Sequence, residues 1–164
     1  MADTKRKGDL AELRVASDLI RQGYRVAIPF GDDWDFDLVL CRNGQFERVQ
    51  VKYVRSNGVV IVLRCRTHSL TNGKVRSVKH YTAATIDWLA VYDLTCDQCF
   101  YVPAGFLGAG RSVIHLRLQP TRNGQRAGIN HASDFERIPA RGAGTFDGAS
   151  GTRTHGLRVA NATL

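Results

Sequence analysis

Four side chains from three separate stretches have the types and spacing to do chemistry together: Glu12, Asp37, Gln50 and Lys52. Asp37 stands at the start of the apolar run Leu38-Val39-Leu40, where aspartate is depleted and a buried carboxylate needs compensation. Gln50 and Lys52 alternate with Val49, Val51 and Tyr53, so in a strand they project from one face about 7 Å apart. Glu12 is aligned with Val15, Ala16 and Leu19 on the side of a helix that would meet a sheet. Taken singly, each has an ordinary explanation. Asp37 could be an edge carboxylate facing water, Gln50 and Lys52 the wet side of a half-solvated strand, and Glu12 a boundary residue reaching solvent. Taken together they make an acidic site with one ammonium beside it.

The elements that must position them follow from periodicity. From Asp9 to Gln22 apolar residues recur at helical spacing, with Leu10, Leu13, Ala16, Ser17 and Ile20 as the stripe, Ala11, Val15 and Leu19 widening it and Gly23 as the stop. Strands are predicted over 24–30, 36–41, 46–54 and 59–64. Asn43-Gly44 and Asn57-Gly58 are hairpin signals, since both favour positive φ. A basic, glycine-containing stretch over 68–79 leads to a short helical segment at 81–85, then strands at 88–94 and 99–103. Helix, strands, helix, strands suits an α/β fold, a mixed four-stranded central sheet flanked by helices. One domain is expected over 1–138. Past Pro139 the Gly, Ala, Thr and Arg composition predicts a flexible C-terminal tail over 139–164, which cannot offset its ordering entropy.

The chain has 164 residues, 43% of them hydrophobic, enough for a core without disulfide staples. Against 15 Asp and Glu stand 23 Lys and Arg, a formal charge of +8, which attracts polyanions and makes nucleic acid the leading partner. No stretch approaches the roughly 18 apolar residues of a membrane helix, and no secretory leader is visible, so the expected location is cytoplasmic. Cys41, Cys65, Cys96 and Cys99 then read as reduced thiols. Cys96 and Cys99 form a lone Cys-x-x-Cys better explained by a hairpin turn than by zinc.

The four-residue set resembles the PD-(D/E)XK nucleases. In that pattern Asp37 is the motif aspartate, Gln50 takes the second acidic position, Lys52 is the motif lysine and Glu12 matches a helix acid found in many branches. Two departures stand out: Phe36, not proline, precedes Asp37, and Gln50 offers a neutral amide where a carboxylate is usual, which weakens divalent-cation binding. The Gln-x-Lys variant, with Lys7-Gly8-Asp9, Tyr81, Ile86-Asp87 and Arg122-Asn123-Gly124-Gln125, is similar to the homing endonucleases encoded in group I introns, a subgroup that itself carries this glutamine. The likeness covers residues 5 to 138.

The resemblance implies a metal-dependent endonuclease that hydrolyses phosphodiester bonds in double-stranded DNA. Mg2+, with Mn2+ as a substitute, would be held by Glu12, Asp37, the Gln50 amide oxygen and the Val51 carbonyl, and Lys52 would stabilise charge on the phosphorane or orient the attacking water. DNA contacts are expected from the basic cluster Arg55, Arg64, Arg66, Lys74, Arg76 and Lys79 and from Arg122, Asn123 and Gln125. A homo-oligomer, dimer or tetramer, is expected because one small domain spans little DNA. The alternatives are a Holliday junction resolvase or restriction-type nuclease, which shares this layout, and a catalytically inactive DNA-binding module.

Overall fold

Helix α1 (Ala2–Arg21) begins seven residues before the predicted start, since Lys5, Arg6 and Lys7 are good helix formers and Lys7 pairs with Asp3 one turn away. Its end is a Schellman motif: Gly23 (φ 91°) and Tyr24 donate their N–H groups to the Ile20 and Leu19 carbonyls at 2.9 and 3.0 Å. The computed structural model describes residues 2–31, 33–71 and 74–140. For Ala2 and for the described part of 68–77 only the backbone is described, and the predicted tail lies outside the described residues except for Pro139 and Ala140. The predicted stripe on α1 is out of phase. Ala11, Val15 and Leu19 are the fully buried residues, while Leu10, Leu13 and Ile20 are 40%, 66% and 60% exposed. With eight apolar residues around the helix, spacing alone leaves the phase open, and the sheet takes the i, i+4, i+8 row.

Nine strands follow: β1 (Arg25–Ala27), β2 (Leu38–Arg42), β3 (Gln45–Val54), β4 (Val60–Arg64), β5 (Arg66–Thr71), β6 (Lys74–His80), β7 (Trp88–Asp93), β8 (Gln98–Pro103) and β9 (Val113–Arg117). The central sheet has five strands rather than four, in the order β1-β2-β3-β7-β8. β3 and β7 run parallel and the other neighbours antiparallel. Asn43 and Gly44 have φ of 50° and 71° and join Arg42 to its partner Gln45, the predicted two-residue hairpin. Asn57-Gly58 does not make one. The Asn57 side-chain oxygen accepts from the Val59 and Val60 amides, both at 2.9 Å, and this Asx turn sends the chain out of the sheet into β4, whose partner is β9.

The basic stretch after β4 is itself a hairpin, β5 with β6. The predicted helical segment at 81–85 is a single turn closed by Thr85 and Ile86 amides on the Thr82 carbonyl. Every residue of β7 is buried, and its side chains alternate between two cores. Trp88, Ala90 and Tyr92 face α1 with Val49, Val51 and Tyr101. Leu89 and Val91 face Ile61, Leu63, Ile114 and Leu116 of the β4–β9 ribbon, along with Phe106 and Phe135 from two short 3-10 turns. So one helix flanks one face of the sheet and a β-ribbon covers the other. No helix among the described residues is long and apolar enough to cross a membrane.

Candidate active site

The site forms where two strands part company. Pairing of β2 with β3 ends as the Asp37 N–H donates to the Val49 carbonyl at 2.9 Å, while β3 runs on, bonded to β7, as far as Val54. N–H and C=O of alternate residues face the same edge of a strand, so Val51, like Val49, presents both groups to the edge β2 has left. A buried N–H cannot stay unpaired, and the Asp37 carboxylate takes it at 2.7 Å. Gln50 donates its amide N–H to the same carboxylate oxygen and to the Val51 carbonyl at 3.3 Å. Asp37, Gln50 and Val51 thus form one hydrogen-bonded corner.

Gln50 is 8% exposed, and Lys52 is half-buried two residues along. The Lys52 ammonium donates to the Tyr81 hydroxyl at 2.8 Å. Burial pushes the Asp37 carboxyl up, and the Val51 amide, the Lys52 charge and the Gln50 amide pull it back without cancelling the rise. Glu12, at the margin of the buried row on α1, is raised by burial and then by the charges of Asp37 and Asp9. The Asp37 term places the helix acid within electrostatic reach of the strand corner. It is the acid that must ionise beside a carboxylate already ionised.

Among the described residues no three His, Cys, Asp or Glu side chains gather as a metal cluster. A divalent ion here therefore depends on two carboxylates with neutral oxygens. The donor set still fits one. Both acids are raised by burial and Glu12 also by its neighbour, a penalty that a hard cation between them would remove, and the Val51 carbonyl faces the same open edge. Gln50 points its N–H groups into the corner, so ligation through its oxygen requires the amide to turn over.

The expected DNA-contact residues lie in two groups. Arg64 ends β4 and is exposed, Arg66 opens β5 half-buried, and exposed Lys79 pairs with Asp35. Lys74 and Arg76 lie on β6, but their side chains are outside the described residues. At the opposite end of the ribbon Arg122, Asn123 and Gln125 are exposed on a turn closed by the Thr121 hydroxyl on the Gln125 carbonyl at 2.7 Å. This turn lies near Arg55, because Gln119 donates to the Gly58 carbonyl at 3.0 Å. Cys96 and Cys99 sit in and beside the β7–β8 hairpin turn, in agreement with the hairpin reading.

Three features escaped sequence reasoning. Lys7 feels the charge of Arg55, so the basic N-terminal turns of α1 adjoin the end of β3. β9 carries His115 and Arg117 beside its buried residues, and its period-two pattern was there to be read. Tyr81 carried no assigned role.

The PD-(D/E)XK endonuclease family model matches residues 2–138 of the chain. Among solved structures, a bacterial homing endonuclease, I-Ssp6803I, is similar in fold, with a TM-score of 0.64 and 24% identity over 80% of this chain and 87% of that one. No curated protein matches.

Proposed function

The chain belongs to the PD-(D/E)XK endonuclease family, and from that premise we propose that it is a divalent-metal-dependent endonuclease hydrolysing phosphodiester bonds in double-stranded DNA, of the intron-encoded homing kind. One observation carries this reading: Asp37, Gln50, the Val51 backbone and Lys52 meet at the open edge of β3, and the charge of Asp37 reaches Glu12. Nucleases of this family generally use divalent metal ions, and Mg2+, or Mn2+ in its place, is the ion proposed here. When bound, such an ion neutralises charge on the scissile phosphate and acidifies a water.

The chain's own residues do the rest. Asp37 and Glu12 hold the cation, with the Val51 carbonyl and, after its amide turns, the Gln50 oxygen as neutral ligands. The Lys52 ammonium has two N–H bonds beyond the one given to Tyr81, and it places them on the phosphate oxygen that gains charge or on the attacking water. Arg55, Arg64, Arg66, Lys74, Arg76, Lys79, Arg122, Asn123 and Gln125 hold the duplex. A basic surface of this kind fits the +8 charge of the chain. A dimer or tetramer is the proposed assembly, and a monomer by light scattering with DNA bound would remove it.

Asp37→Ala and Lys52→Ala are expected to lower Mg2+-dependent cleavage of duplex DNA by at least about 10³-fold while leaving binding in EDTA intact. The rival is a DNA-binding module that has lost catalysis, and Gln50, a weaker ligand than a carboxylate, is the feature that favours it. A wild-type protein that binds duplex yet leaves it uncut in both Mg2+ and Mn2+ would establish the rival. Preferential cutting of four-way junctions would point to a resolvase instead.

A further inference from the structure

Lys52 raises a difficulty that its own role does not solve. Its charge already acts on Asp37, and an ammonium so close to a carboxylate pair can fold onto it as an ion pair, occupying the place a divalent cation needs. In the structure it does not. Its nitrogen lies 2.8 Å from the Tyr81 hydroxyl oxygen and 4.8 Å from the ring centroid, so the hydroxyl, not the π face, is the nearer partner. Tyr81 cannot follow the lysine if it moves. It is 3% exposed, packed with Ile61, Leu63, Cys65 and Ile86, and its N–H donates to the Cys65 carbonyl at 3.1 Å, at the root of the β5–β6 hairpin.

We propose that Tyr81 is a positioning residue whose hydroxyl holds the Lys52 ammonium off the carboxylates of Asp37 and Glu12, keeping that pair open for a divalent cation. This rests on the metal-dependent nuclease reading above. A buried hydroxyl at fixed position accepts one of the three lysine N–H bonds and leaves two for the substrate. Because Tyr81 directly follows β6, the element that fixes Lys52 also carries the basic hairpin.

The test is metal affinity without DNA, read by Mn2+ titration followed by electron paramagnetic resonance. Tyr81→Phe keeps the ring and frees the lysine, and it is expected to weaken Mn2+ binding about fivefold, the scale of a partly buried ion pair. Adding Lys52→Met to that variant is expected to restore the loss, because the competing charge is gone. In the wild-type background Lys52→Met should change the affinity less than about threefold, since the ammonium is already held aside. This third measurement stands even if Tyr81→Phe fails to fold.

Equal affinities for Tyr81→Phe and wild type overturn the proposal. So does a double variant that stays as weak as Tyr81→Phe, or a Lys52→Met that alone tightens binding about fivefold or more. A wild-type protein that binds no Mn2+ at all sinks the nuclease reading itself, which separates the two failures.

Discussion

Glu12 ionises beside a carboxylate, in partly buried surroundings, with no cation between them, and that sets a stability signature. Its folded-state pKa is raised by burial, Asp37 and Asp9, so the ionised form is penalised in the fold. The penalty is complete above the folded pKa and absent below the unfolded one. Glu12→Gln is therefore expected to raise the melting temperature in EDTA at pH 7, by about 1 °C given how much of the side chain meets solvent. The gap should close near pH 4, where both states hold the proton. In saturating Mg2+ the order reverses, because only wild type retains the full ligand set and binding stabilises the fold by linkage. A Glu12→Gln protein that melts below wild type in EDTA removes the electrostatic account of this corner.

At this scale much of the site was readable. Asp37 before an apolar run and Gln50 alternating with Lys52 are local patterns, and their side chains do share a corner with the Val51 backbone. What could not be read were the bonds across the fold. That Asp37 takes the Val51 N–H depends on where β2 stops pairing, and that Lys52 meets Tyr81 depends on a residue far along the chain.

At the scale of elements, the end of β3 is stapled to the β7–β8 hairpin by Asp93, fully buried at 0% exposure. Its carboxylate accepts from the Ser56 hydroxyl at 2.6 Å, the Ser56 amide at 2.8 Å and the Cys96 thiol at 3.1 Å. Burial pushes Asp93 up, but these hydrogen bonds outweigh it and the net shift is downward. A depressed carboxylate contributes stability that is present above the unfolded pKa and is lost as pH falls through the folded one. Ser56→Ala is expected to cost about 1–2 kcal/mol at pH 7, measured by urea denaturation, and progressively less below about pH 4. A cost that is the same at pH 7 and pH 3 would mean the hydroxyl acts without the carboxylate charge.

The same region shows why local signals mislead about elements. Asn43-Gly44 and Asn57-Gly58 look alike in sequence, yet only the first closes a hairpin. The difference is the partner strand: β3 past Val49 is taken up by β7 in parallel, so no edge remains for β4 to join. Likewise the eight apolar positions on α1 announce a buried helix without saying which row faces the sheet. β5 and β6 hid behind a basic composition that reads equally well as a loop, since their pairing rests on backbone bonds rather than an apolar face.

At the scale of the molecule, the two basic groups stand at opposite ends of the β4–β9 ribbon, Arg64 paired with Val113 at one end and Val60 with Arg117 at the other. Four residue steps along a strand span about 13 Å. That is under half of one duplex turn of roughly 34 Å, so both ends can rest on the phosphates of a single bound duplex. Each phosphate contact released steepens the salt dependence, with log K falling against log[salt] by about 0.9 per contact. Arg64→Ala with Lys79→Ala, and separately Arg55→Ala with Arg122→Ala, are each expected to reduce that slope by about 1.8 in EDTA. Lys79 is paired with Asp35 in the free protein, so its share is the contact formed when that pair opens. If one double variant binds with the wild-type slope, the end it alters is a solvated face and the duplex lies along the other end alone.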